Sequence, residues 1–166
     1  MTVAASDADA AGPVSDGGRP VEFWSTAAIR AALEDGDISV WQRIVVAIKR
    51  DPFGRTSRQV EEILETRADA GEPHGIAKAM REVLNRSRTH LETAERAEVA
   101  RHVRVLLDRS GLSQREFASR IGTQSTVFAD YLTGAVCPPA SLMIRMRRLS
   151  DRFARMRAQR ETPTED

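Results

Sequence analysis

Between Ile76 and Ser110 the sequence contains neither glycine nor proline. Those two residues are the strongest local breakers of regular structure, so a stretch this long without them is free to stay regular. Ile76, Met80, Val83, Leu84 and Leu91 recur in it at helical spacing, as do Val99, Val103, Leu106 and Leu107. The segment therefore reads as helix, either one long rod or two shorter ones. A break between Leu91 and Thr93 is expected, because a threonine there can cap a new helix. Alternating strand patterns are nearly absent from the chain, and β-branched residues fall inside helical spacing. The expected fold class is all-α.

Other helices follow from the same signals. One runs from Ser25 to Leu33 and stops at Gly36. A second runs from Ser39 to Arg50, with Val40, Ile44, Ala47 and Ile48 on one face, Trp41 and Val45 widening it, and Pro52 ending it. A third lies in FGRTSRQVEEIL, where Thr56 and Gln59 are spaced as a capping box. Thr66 to Pro73, TRADAGEP, reads as an interior loop. Trp24 and Trp41 read as core aromatics. The chain then divides into a tail over residues 1–20, a helical domain over 21–90, a second over 93–158, and a short tail over 159–166.

The charge balance is near neutral overall, at +1, but uneven. From Arg145 to Arg160 seven arginines stand against one aspartate. Such a run is either a phosphate-binding footprint or a solvated helix face. No apolar run approaches the ~18 residues of a membrane span. The first twenty residues carry three aspartates and one arginine, which does not fit a secretory signal and suits a disordered tail. With a single cysteine, Cys137, the expectation is a cytoplasmic protein without internal disulfides and with no membrane partner. Signals for catalysis are missing. His74, His90 and His102 are not spaced as metal ligands, and no phosphate-cradling glycine loop or nucleophile elbow occurs. No enzyme activity, metal or cofactor is expected.

The densest motif is LSQREFASRIGTQSTVFADYLTG, Leu112 to Gly134. Ser113 and Glu116 have capping-box spacing. Phe117, Ala118 and Ile121 should face inward, and Gly122 supplies the backbone for a tight turn. Phe128, Tyr131 and Leu132 should anchor a second short helix whose start, Gln124 to Thr126, is polar. This pattern resembles the Cro/repressor (XRE-type) helix-turn-helix family in Leu112-Ser113-Gln114, Phe117-Ala118, Gly122, Gln124 to Leu132, and Gly134, with a further helix after Pro139. The resemblance covers about residues 95–150. Two positions depart from the family, Asp130, where a basic or amide residue is common, and Thr123, where a valine-like residue is common.

That resemblance implies a lambda-repressor-like domain with an extended last helix, and a partner, double-stranded DNA. By position, Gln114 should bond a phosphate, while Gln124, Ser125, Thr126, Ala129 and Asp130 should face the major groove. The function implied is a sequence-specific transcriptional regulator, a repressor rather than an activator. The alternative is a protein-interaction module, such as an autoregulating antitoxin that holds a partner protein through residues 21–90. The N-terminal domain has no assigned family and reads as a dimerisation or partner-binding module, a second DNA-binding unit, or a spacer that fixes the position of the helix-turn-helix. Arg55, Thr56, Ser57 and Arg58 sit at a helix start there, where phosphate is favoured, and form a secondary candidate contact. In the last helix Leu142, Met146, Leu149, Phe153 and Met156 are spaced as a heptad seam. Leu142, Met146 and Leu149 read as ordinary core, while Phe153 and Met156 are expected to pack either on the N-terminal domain or on a second copy of the chain, the latter giving a homodimer.

Overall fold

The computed structural model describes residues 18–69 and 75–161. Among these there are seven α-helices and no strand. No helix among them is long and apolar enough to cross a membrane. The chain separates into two compact units, one ending at Leu91 and one beginning at Glu92.

The first unit opens with a 3-10 turn, Val21–Phe23. Helix α1 spans Thr26–Asp35, where the Ser25 hydroxyl caps by accepting from the Ala28 amide. Helix α2 spans Ile38–Arg50 and is capped by Asp37, which accepts from Ser39. Helix α3 spans Arg55–Asp69. The first half of helix α4, which runs Gly75–Ser110, completes the unit. Its core joins Trp24, Ile29, Leu33, Ile44, Ile48, Val60, Ile63, Met80 and Leu84. Burial of such side chains at roughly 1.5–3 kcal/mol each is what holds short helices together.

Polar groups brace this core. The Trp24 indole donates to the Arg19 carbonyl at 3.1 Å, and the Trp41 indole to the Ala32 carbonyl at 2.9 Å. Arg88 grips Glu61 with two bonds, of 2.7 and 2.8 Å, and lies over the Phe53 ring. Trp24 is core as expected, whereas Trp41 is only half-buried.

The second unit holds the rest of α4, then α5 (Gln114–Ile121), α6 (Ser125–Thr133) and α7 (Ala140–Glu161). Its core is Val103, Phe117, Ala118, Ile121, Phe128, Tyr131, Leu142 and Met146.

Several boundaries differ from the sequence reading. Helix α4 is continuous through Leu91–Thr93, so the expected break does not occur. Threonine caps a helix only where the backbone leaves helical geometry, and nothing near Thr93 forces that departure. The expected Thr56–Gln59 capping box is not formed either. Helix α3 starts at Arg55, Thr56 is 4% exposed, and Gln59 instead donates to the Trp24 carbonyl and the Thr26 hydroxyl. Thr66 to Asp69 are helical rather than loop, and the remainder of that expected loop, with His74, lies outside the described residues. The expected tail over 1–20 is described only at its last three residues. Helix α7 continues to Glu161, past the boundary at residue 158 expected between the second helical domain and its tail.

Candidate functional site

The two short helices α5 and α6 are built around one glycine. At the start of α5 the Ser113 hydroxyl accepts from the Glu116 amide, and the Glu116 carboxylate accepts from the Ser113 amide at 3.3 Å, closing the expected capping box. At its end Gly122 takes φ +78°, and the Gly122 and Thr123 amides turn back to the Ser119 and Ala118 carbonyls. This is a Schellman stop, and the left-handed residue in it is cheap only as glycine.

A side chain from elsewhere secures the same turn. Arg145 of α7 donates to the Ile121 carbonyl at 2.7 Å. An arginine suits this place, because the last carbonyls of a helix are unsatisfied and carry partial negative charge. Below the turn, the Phe117 and Phe128 rings pack with centroids 5.4 Å apart, and both are fully buried. At the far end of α6 Gly134 takes φ +81°, and Arg104 donates to the Leu132 carbonyl. A β-carbon on Gly134 would stand 3.4 Å from the Arg96 carbonyl and from Ala100 of α4, so α6 ends close against that helix.

The start of α6 is different in kind. Ser25, Asp37 and Ser113 each spend a side chain on capping. Gln124, at the corresponding position of α6, makes no such bond. Gln124, Ser125 and Thr126 are exposed, and no side-chain hydrogen bond to them is formed among the described residues. Ala129 is half-buried and Asp130 exposed. Gln114 is exposed in the first turn of α5, beside Arg115, which the sequence reading passed over although it sits inside the same motif. The six expected residues thus lie on or near the surface of two adjoining helices, while Phe117, Ala118, Ile121, Phe128 and Tyr131 lie inside, as expected.

The arginine run of α7 divides between structure and surface. Arg145 holds the α5 turn. Arg157 donates to the Arg109 carbonyl at 2.6 Å, closing the end of α4, while Arg109 pairs with Asp151 at 3.0 Å. Arg155 bonds back to the Asp151 carbonyl. Arg147, Arg148 and Arg152 are exposed and make no ion pair among the described residues. Of the expected seam, Leu142 and Met146 are core. Phe153 is half-buried beneath Arg120, whose guanidinium lies 4.7 Å from the ring centroid, and Met156 is 39% exposed.

The secondary candidate at the start of α3 keeps only part of its side chains at the surface. Thr56 and Ser57 are 4% and 0% exposed, and Ser57 donates to the Asp51 carbonyl at 2.7 Å. Their hydroxyls are therefore turned into the fold, leaving Arg55 and Arg58 exposed. Among the described residues no group of three or more His, Cys, Asp or Glu side chains could hold a metal ion. His102 bonds its own helix through the Glu98 carbonyl at 3.1 Å, and Cys137 is exposed and free. No protein-family model, curated protein or solved structure matches the chain.

Proposed function

We propose that residues 93–158 form a lambda-repressor-like helix-turn-helix domain, and that the protein is a sequence-specific DNA-binding transcriptional regulator, a repressor. One observation carries the reading. Helix α6 begins with three exposed polar side chains that serve no capping role, on a helix whose other face is locked by Phe128 and Tyr131. Polar groups left unspent on a rigid surface are available to base edges, whereas capping groups are already committed.

In this reading Gln124 and Ser125 read bases, and Gln124 can grip an adenine with two bonds. Thr126, Ala129 and Asp130 line the same groove, with Ala129 against a thymine methyl and Asp130 accepting from a cytosine amino group. Gln114, at the start of α5, bonds a phosphate, and Arg115 adds charge beside it. Arg147, Arg148 and Arg152 add positive potential that draws the protein toward DNA. The chain works by binding alone, in the cytoplasm and as a homodimer.

Selection from a randomised duplex pool tests this. A short recurring site should be enriched, and its affinity should exceed that for random duplex by about 10³-fold or more. Uniform binding that depends only on salt would count against sequence-specific regulation and leave a general nucleic-acid binder.

A further inference from the structure

On the first unit α2 leaves the apolar side chains of Ile38 and Val46 at the surface, beside Trp41 and Val45, which also pack partly against the core. Along α2, Ile38, Gln42, Val45 and Lys49 are spaced 4, 3 and 4 residues apart, the interval of a helix-pairing seam. Ile38 is 67% exposed and Val46, beside the seam, 54%. These side chains and Trp41 border a groove of about 460 Å³, whose other wall is Ala79, Met80 and Val83 of α4. The opposite side of α2 is already used, because Ile44, Ala47 and Ile48 are in the core.

The ends of the seam have opposite charge. Asp37 caps the N-terminal end, exposed, and its carboxyl is held below the ordinary range, first by the Ser39 hydroxyl and also by the Ser39 amide. Lys49 lines the groove at the C-terminal end and makes no ion pair among the described residues. Its neighbour Arg50 is occupied with Glu22 at 2.8 Å. A helix that is acidic at its start and basic at its end is complementary to its own antiparallel copy, and antiparallel dipoles agree with that pairing.

We infer that the chain self-associates through α2, two copies of the seam packing antiparallel about a two-fold axis near the middle of the helix. Gln42 then lies opposite Val45 of the second copy and Trp41 opposite Val46. Lys49 reaches Asp37 of the second copy at each end. The small side chain of Ala79 lets the second helix seat in the groove. The same patch serves both copies, which is what a closed two-fold dimer requires. The inference stands on the first unit alone and does not depend on DNA binding.

Zero-length carbodiimide cross-linking of the full chain, with peptide mass spectrometry, is the direct test. Within one chain Asp37 and Lys49 are twelve residues apart on one helix, about 18 Å along its axis, too far for such a link. An Asp37–Lys49 cross-link confined to the dimer band is the expected result. Light scattering should give a dimer mass for the parent. Val46→Glu should raise its dissociation constant by about tenfold or more, the weight of one central contact, with helical circular dichroism unchanged. Should Val46→Glu fold poorly, Ile38→Lys, at the more exposed position, serves in its place. A parent that remains monomeric overturns the inference. So does a dimer that survives the folded variants, one that Met156→Lys disrupts instead, or a monomer that seats a different protein on this face.

Discussion

Arg145 and Ile121 are joined by a hydrogen bond from guanidinium to carbonyl, 2.7 Å long, that ties α7 to the last residue of α5. The bond lies one residue before the left-handed Gly122, so a single arginine steadies the turn on which the placement of α6 depends. Arg145→Ala should lower stability by about 1.5–3 kcal/mol, the range for a hydrogen bond from a charged donor. Urea denaturation measures it. Hydrogen exchange at the Gly122 and Thr123 amides should quicken before exchange elsewhere in the unit.

Gly122 should respond according to shape rather than space. Among the described residues a β-carbon there meets only the Arg145 guanidinium, at 3.4 Å, so the penalty comes from φ +78° and not from a clash. Gly122→Ala should cost about 1–2 kcal/mol. Gly122→Val should cost more, because a branched side chain tolerates that region least. Paired thermal melts of the two variants would show the order.

Phe117 and Phe128 hold α5 and α6 together through adjoining buried rings. Either alanine substitution should destabilise by about 3–5 kcal/mol. A double-mutant cycle should show coupling of roughly 0.5–1.5 kcal/mol beyond the area term. Additive losses would mean that the two rings do not support each other.

This region shows what could be read from the chain and what could not. Ser113, Gly122 and the inward aromatics obey local rules, in which a side chain meets the backbone three residues away or the backbone bends at a glycine, so spacing was enough to find them. Gln59 obeys no such rule. Its amide reaches Trp24 and Thr26, far away in sequence, so its spacing from Thr56 suggested a cap that is not there. The arginine run of α7 was visible as charge, but not that Arg145 and Arg157 finish the ends of other helices. The open polar start of α6 was legible as composition. The absence of a cap bond at Gln124 became visible only in three dimensions.

The first unit should weaken in acid. Glu61 is held ionised below its ordinary range, chiefly by the hydrogen bond from Arg88, so its folded carboxyl gives up charge later than the unfolded one. Its stabilisation is complete above the ordinary glutamate range and is lost as pH falls through the lower folded value. The pair is partly exposed, so the effect should stay within about 1 kcal/mol. Urea midpoints followed from neutral pH into acid should fall less steeply for Glu61→Gln than for the parent. Equal slopes would remove Glu61 as a source of the acid sensitivity.

Base reading by the start of α6 is tested most directly by one comparison, the affinity of parent and Gln124→Ala/Ser125→Ala for the selected duplex and for random duplex, each across a salt series. Both side chains are exposed and carry no hydrogen bond among the described residues, so melting temperature should stay within a degree or so of the parent, as for other surface changes of small cost. Specific binding should weaken by about 2–6 kcal/mol, the worth of two base contacts. The salt slope should stay the same, because the proposed phosphate contacts lie elsewhere. A double variant that still selects the parent's site with parental affinity would contradict the account, and would move the reading surface away from α6.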